Sequence, residues 1–149
     1  MEEAMDIYTY LKKDHKKVSD LMKELLATRS PEIREEIFEE IKEELLLHAK
    51  TEQATFYKAL ENKRQTGEEI EHAEDEHKEM EAYLKKLDKI DFNSENWIEQ
   101  FGEFKHSVMH HVKEEEGEIF EQAKKILSER QAEKLAEEME ALKHSGKTK

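Results

Sequence analysis

HAKTEQATFY (48–57) and HVKEEEGEIF (111–120) are the two stretches on which the reading of this sequence turns. Each opens with His-x-x-x-Glu, His48/Glu52 in the first and His111/Glu115 in the second. Residues four apart on a helix face the same way, so each pair would act together. Working outward, each pair falls on a stripe of apolar residues at three- and four-residue steps. Around the first run Ile37, Ile41, Leu45, Phe56 and Ala59; around the second run Trp97, Phe101, Phe104, Val108, Ile119 and Ile126. Two further stripes carry one histidine each: Tyr8, Leu11, His15, Val18, Met22 and Leu25, then Ile70, Ala73, His77, Met80, Leu84 and Leu87. His15 precedes His48 by 33 residues and His77 precedes His111 by 34, so the chain states one plan twice.

The breaks between stripes are sparse and chemically legible. Ser30-Pro31 is a cap followed by proline at a first helical position. Thr66–Glu69 and Ser128–Gln131 have the form of capping boxes, and Asp91-Phe92-Asn93-Ser94 is a polar turn cluster. These predict helices near 5–28, 31–62, 67–89, 94–127 and 129–144, with 145–149 a frayed tail. The expected fold is all-α: one domain over 1–149, an antiparallel up-down four-helix bundle with a short fifth C-terminal helix. That fifth helix, carrying Leu135, Met139 and Leu142, is expected to pack against one end or side.

Composition agrees and excludes several chemistries. The 149 residues include 25 Lys plus Arg, 38 Asp plus Glu, one Pro, four Gly and no Cys, for a net charge of −13. Such acidity argues against a nucleic-acid partner, which needs a basic face. Without cysteine there is no disulfide framework, thiol nucleophile or Cys-based metal site. The longest aliphatic run, Leu45-Leu46-Leu47, is far short of a membrane span, and MEEAMDIY is acidic where a signal peptide is basic. A soluble, cytoplasmic protein with no membrane partner is expected, as a monomer or weak homo-oligomer.

Charge in the wrong place carries the functional argument. His15, His48, Glu52, His77, His111 and Glu115 all sit within stripes that are otherwise apolar. An unpaired carboxylate in a core costs several kcal/mol, so two rival the roughly 5–15 kcal/mol stability of a domain. Protonation or His–Glu hydrogen bonds could offset them, but a multivalent cation accounts for all six together. His-x-x-x-Glu by itself is weak evidence, since it begins at five of the eight histidines: 48, 72, 77, 110 and 111. Only the pairs at 48 and 111 have both members on the inward seam. Two such hairpins related by approximate two-fold symmetry would direct four imidazoles and two carboxylates at one volume. Each of two metals would take two histidines while both glutamates bridge, leaving open positions for a further ligand. Mixed imidazole and carboxylate ligation suits iron, manganese or zinc, and redox chemistry favours iron.

At Asp14-His15, HAKTEQATFY, EDEHKEMEAYL (74–84), HHVKEEEGEIF (110–120) and LSERQAEKLAEEMEALK (127–143) the sequence resembles the hemerythrin-like family, the HHE cation-binding domains. The resemblance implies two iron ions with carboxylate and oxo or hydroxo bridges inside a four-helix bundle, ligated by the six residues above. The sequence departs from the family's oxygen carriers, which place a further histidine where Ala73 stands and use His-x-x-x-x-Asp on the fourth helix. His72 lies about 140° around a helix from His77, and His110 is off the seam. The resemblance therefore implies a more open six-ligand site that binds or processes dioxygen, peroxide or nitric oxide. It leaves the reductant partner and any oxidoreductase activity open. Other readings are a non-catalytic module that buffers or senses iron, and a plain helical interaction protein.

His72, His106, His110 and His144 read as surface histidines, His110 being the best placed to support a ligand. Glu81 and Glu116 read as solvated. Tyr8, two turns from His15 on one face, reads as core with its hydroxyl satisfied or as lining the site; Tyr57 reads the same way. The aromatic residues of the stripes read as packing that dries the site.

Overall fold

The computed structural model describes residues 5–147. Among these residues five helices run antiparallel in sequence order. α1 is Ile7–Ala27. α2 spans 31–60 as an α-helix Pro31–Glu52, a π-helical turn Gln53–Tyr57 and a last turn Lys58–Leu60. α3 is Gly67–Asp88. α4 spans 95–126 as Glu95–Glu114, a second π-helical turn Glu115–Ile119, and Phe120–Ile126. α5 is Glu129–Lys147. Over 145–149, expected to fray, the helix continues through Lys147, and residues 148 and 149 lie outside the described residues.

Side-chain caps begin most of these helices by accepting from backbone N–H groups left free in the first turn. Ser30 Oγ accepts from Ile33 N at 3.3 Å and Ser94 Oγ from Trp97 N at 3.1 Å. Asp6 Oδ1 caps α1 through Thr9 N at 2.9 Å. At α5 the capping box closes in both directions, Gln131 N to Ser128 Oγ at 3.1 Å and Ser128 N to Gln131 Oε1 at 2.8 Å. The box expected at Thr66 does not form. Its buried hydroxyl instead donates to Leu60 O at 2.8 Å, tying off the end of α2.

α1 pairs with α2 and α3 with α4 as two hairpins. Their inward faces make two apolar clusters. One holds Val18, Met22, Phe38, Ile41, Leu84, Trp97, Phe101 and Phe104. The other holds Ile7, Leu11, Phe56, Tyr57, Leu60, Ile70, Phe120 and Met139. His15, His48, Glu52, His77, His111 and Glu115 occupy the layer between, each 7% exposed or less.

Two stripes differ from straight α-helical extrapolation. A turn closed by i→i+5 bonds holds an extra residue, so the seam shifts after it. Leu60, Phe120 and Ala123 are buried, while Ala59 and Ile126 are only half-buried. On α5 the inward face is Ala132, Ala136, Met139 and Lys143; Leu135 is half-buried and Leu142 is 43% exposed. The alanines let α5 lie close along the side of α1 and α2. Among the described residues no helix is long and apolar enough to cross a membrane.

Candidate metal centre

α1 contributes His15, α2 His48 and Glu52, α3 His77, and α4 His111 and Glu115, so the structure brings all six together. Each imidazole uses its two nitrogens differently. The Nδ1–H groups point outward and donate to fixed acceptors: His48 to Asp14 Oδ2 at 2.7 Å, His111 to Glu76 Oε1 at 2.8 Å, His77 to Gln53 Oε1 at 2.9 Å and His15 to Glu116 Oε2 at 2.7 Å. The Nε2 atoms point inward at the two carboxylates. Glu52 Oε1 lies 3.3 Å from both His48 Nε2 and His77 Nε2. Glu115 Oε1 lies 3.1 Å from His15 Nε2, and its Oε2 lies 3.5 Å from His111 Nε2. Each glutamate therefore spans both hairpins.

This donor set fits a cation better than it fits a hydrogen-bond network. Glu52 Oε1 and Oε2, Glu115 Oε1, His15 Nε2 and His77 Nε2 are buried without a hydrogen-bond partner, although they face one another. Buried polar atoms are nearly always satisfied, so five orphans in one layer need a ligand. Two donors each about 2.1 Å from one ion sit about 3.0–3.4 Å apart at octahedral to tetrahedral angles, close to the 3.1–3.5 Å observed. The ligand atoms resolve into two overlapping groups, His15/His48/Glu52/Glu115 and Glu52/His77/His111, each within 4.8 Å. Outward acceptors on ligating imidazoles, as here, fix tautomer and ring orientation.

The electrostatics point the same way. Burial pushes the His48 imidazole down, but Glu52 and Asp14 outweigh it and hold it up at about 10. Burial likewise opposes charge on His111, and Glu115 and Glu76 bring it to about 10. His15 is raised against its burial by Glu115 and Glu116. Burial works to raise Glu115, yet His111 and His15 hold it well below the usual carboxylate range. Asp14 is lowered despite burial by His48 and Lys143.

A cavity of about 20 Å³ is lined by all four histidines and by Leu45, Leu46, Ala49, Met80, Leu84, Val108 and Val112, with Glu81 also in the wall. That volume suits one ligand of water or diatomic size. On the opposite side Tyr57 stacks on His77 with ring centroids 5.2 Å apart. Its hydroxyl donates to Glu115 Oε2 and lies 3.3 Å from His111 Nε2.

Several placements depart from expectation. Tyr57, and not Tyr8, reaches the site; Tyr8 packs on Phe56 and Phe120 with its buried hydroxyl lacking a hydrogen-bond partner. In an α-helix Tyr57 would sit about 140° round from Glu52, but the π turn brings it back to that face. His110 supports no ligand: it is 58% exposed and pairs with Glu114 at 2.6 Å. Glu116 is not simply solvated, since it holds His15, whereas Glu81 is exposed as expected. His72, His106 and His144 are exposed. Asp14, Gln53 and Glu76 escaped the sequence reading because they lie off the seams. Their adjacency to ligands (Asp14 to His15, Gln53 to Glu52, Glu76 to His77) was the available signal.

Residues 6–123 match the family model of the hemerythrin HHE cation-binding domain. A DNA nickase from a Nostoc species is 29% identical over 142 residues; the match covers 95% of this chain but only 40% of the nickase. The crystal structure of a hemerythrin HHE cation-binding domain-containing protein from Mycobacterium kansasii superposes with a TM-score of 0.80 at 24% identity, covering 95% of this chain and 89% of that one. With a bundle of this fold and a buried His/Glu layer able to hold cations, the chain belongs to the hemerythrin HHE cation-binding domain family.

Proposed function

We propose that this domain holds two iron ions between its hairpins and binds or turns over a small oxidant: dioxygen, peroxide or nitric oxide. The observation that carries the reading is the layer of inward Nε2 atoms and spanning carboxylates, whose unpartnered atoms fall into two overlapping ligand groups sharing Glu52. His15 and His48 would hold one ion, His77 and His111 the other, with Glu52 and Glu115 bridging. Iron would supply electron transfer to the oxidant, which none of these side chains provides. Manganese and zinc suit the same donors.

The protein's own part is selection and positioning. The apolar walls of the cavity leave one small space against the four histidines and favour a ligand that needs little solvation. Across the centre, Tyr57 offers its O–H to Glu115 and could follow a change in charge on that carboxylate. The nicking named for the Nostoc relative belongs to a chain of which this one covers 40%, and a net charge of −13 is poorly suited to holding DNA. Our reading includes a cytoplasmic location, which fractionation of the native host would check.

Elemental analysis of protein purified without a metal-affinity tag is the deciding experiment, followed by visible spectra on adding air, peroxide or nitric oxide. Two irons per chain are expected, with repeated consumption of peroxide by disproportionation to water and dioxygen, and of dioxygen or nitric oxide when an external reductant is supplied. Stoichiometric metal exchange without turnover would favour the buffering or sensing module. Protein that contains no metal and takes up none, with unchanged thermal stability, would sink both.

A further inference from the structure

The two hairpins build the centre symmetrically, but α5 packs along α1 and α2, the hairpin that supplies His15 and His48. One residue of α5 reaches toward those ligands. Lys143 is 8% exposed, the buried lysine among the described residues. Removing a lysine charge from water costs several kcal/mol unless it is paired. Its ion-pair partner is Asp14, to whose Oδ2 its Nζ donates. The same oxygen accepts from His48 Nδ1 at 2.7 Å.

The ammonium of this latch is held from a second side as well. Lys143 Nζ sits 4.7 Å from the Tyr10 ring centroid, and Tyr10 donates its hydroxyl to Glu140 on α5. A connected path therefore runs from α5 through Asp14 on α1 to His48 on α2. The second hairpin is supported differently. His77 donates to the neutral amide of Gln53, and the Glu76 that accepts from His111 has as its other ion-pair partner His72, a 62% exposed imidazole at 3.5 Å.

We propose that Lys143 is a positioning residue that makes the two cation positions unequal: by locking Asp14 it aims His48 Nε2, so that the His15/His48 position depends on α5 and the His77/His111 position does not. The proposal rests on the two-metal reading above. It follows from geometry, because Asp14 is half-buried and its one shared oxygen is fixed from both sides only while the ammonium is present. Outer partners of ligating histidines commonly contribute 10–100-fold to metal affinity. Lys143 acts one bond further out, so the lower end applies.

Full-length metal-free protein would be titrated with cobalt(II), following calorimetry and visible absorption, for the wild type, Lys143→Met and Lys143→Arg. Lys143→Met keeps the apolar stem and should weaken one of two equivalents about 10-fold, leaving the other within twofold. Lys143→Arg should restore it, and Asp14→Asn should weaken the same equivalent. Hydrogen exchange of the imidazole Nδ1–H groups, read by NMR on metal-free protein, should quicken in Lys143→Met at His48 and not at His111. Equal weakening of both equivalents, or of neither, overturns the proposal, as does unchanged exchange at His48. A wild type that takes up no cobalt overturns the two-metal reading instead, and the exchange measurement still decides the latch. Should Lys143→Met fail to fold, Lys143→Gln decides by the same two readouts.

Discussion

Glu52 and Glu115 are fully buried, and their unpartnered oxygens set the chemistry of the site. Removing either should cost bound metal, because each spans both hairpins. Glu52→Ala or Glu115→Ala is expected to lower metal content by at least one ion per chain in elemental analysis. His72→Ala, which alters an exposed imidazole, should leave content unchanged. Equal losses from all three would refute the assignment. The pH dependence of the metal-free protein follows from the same residues. His48 and His111 titrate at about 10 folded against 6.5 ordinarily, so each binds a proton in the folded state that the unfolded chain releases. Their stabilising contribution is complete below about pH 6.5 and is lost as pH rises through about 10. Glu115, held well below 4.5, contributes above that pH and loses its effect on acidification. Thermal melts should show metal-free protein losing stability from pH 6.5 toward 10. Metal-loaded protein should show a flatter profile over that range, since bound metal keeps the imidazoles neutral.

At the scale of elements, the two π turns repeat with the hairpins, one following Glu52 and one beginning at Glu115. Thr51 and Thr55 accompany the first, their buried hydroxyls donating to Leu47 O and Thr51 O, each at 2.8 Å. The turn carries Phe56 and Tyr57 into the core, both 0% exposed, while Ala54 faces solvent. Deleting Ala54 removes the extra residue, so the turn should close as an ordinary α-helix with Tyr57 four residues from Glu52, about 40° round and still on the same face. Phe56, Tyr57 and Leu60 should therefore keep their sites. The fall in stability read from the urea midpoint should be well short of the about 3–5 kcal/mol that loss of a buried aromatic side chain costs. The five helices themselves were legible because caps and a 3.6-residue period are local. The π turns were not, since Gly117 in EEGEI and the Thr and aromatic residues of QATFY only weaken a helix without specifying a wide turn, and the extra residue shows only in the seam it shifts.

Across the whole molecule, a layer of four histidines and two glutamates separates two apolar clusters, so cation binding and folding are coupled. Metal that binds only the folded state stabilises it by mass action, about 2.7 kcal/mol when free metal is 100 times its dissociation constant. Calorimetric melting should therefore rise on loading and fall back on chelation; an unchanged melting temperature would exclude a folded-state site in this layer. Periodicity, caps and the twice-stated plan determined by themselves the helix count, the bundle and six inward polar residues, because each is a relation within one helix or between successive ones. Only the tertiary structure decided which atoms meet. Asp14, Gln53, Glu76, Glu116 and Lys143 lie off the apolar stripes or at positions read as surface, and in so acidic a chain their composition marks none of them. They acquire roles because antiparallel packing sets Asp14 against His48, Glu76 against His111 and α5 against one hairpin. Such contacts depend on the relative placement of helices far apart in sequence, which no local pattern encodes.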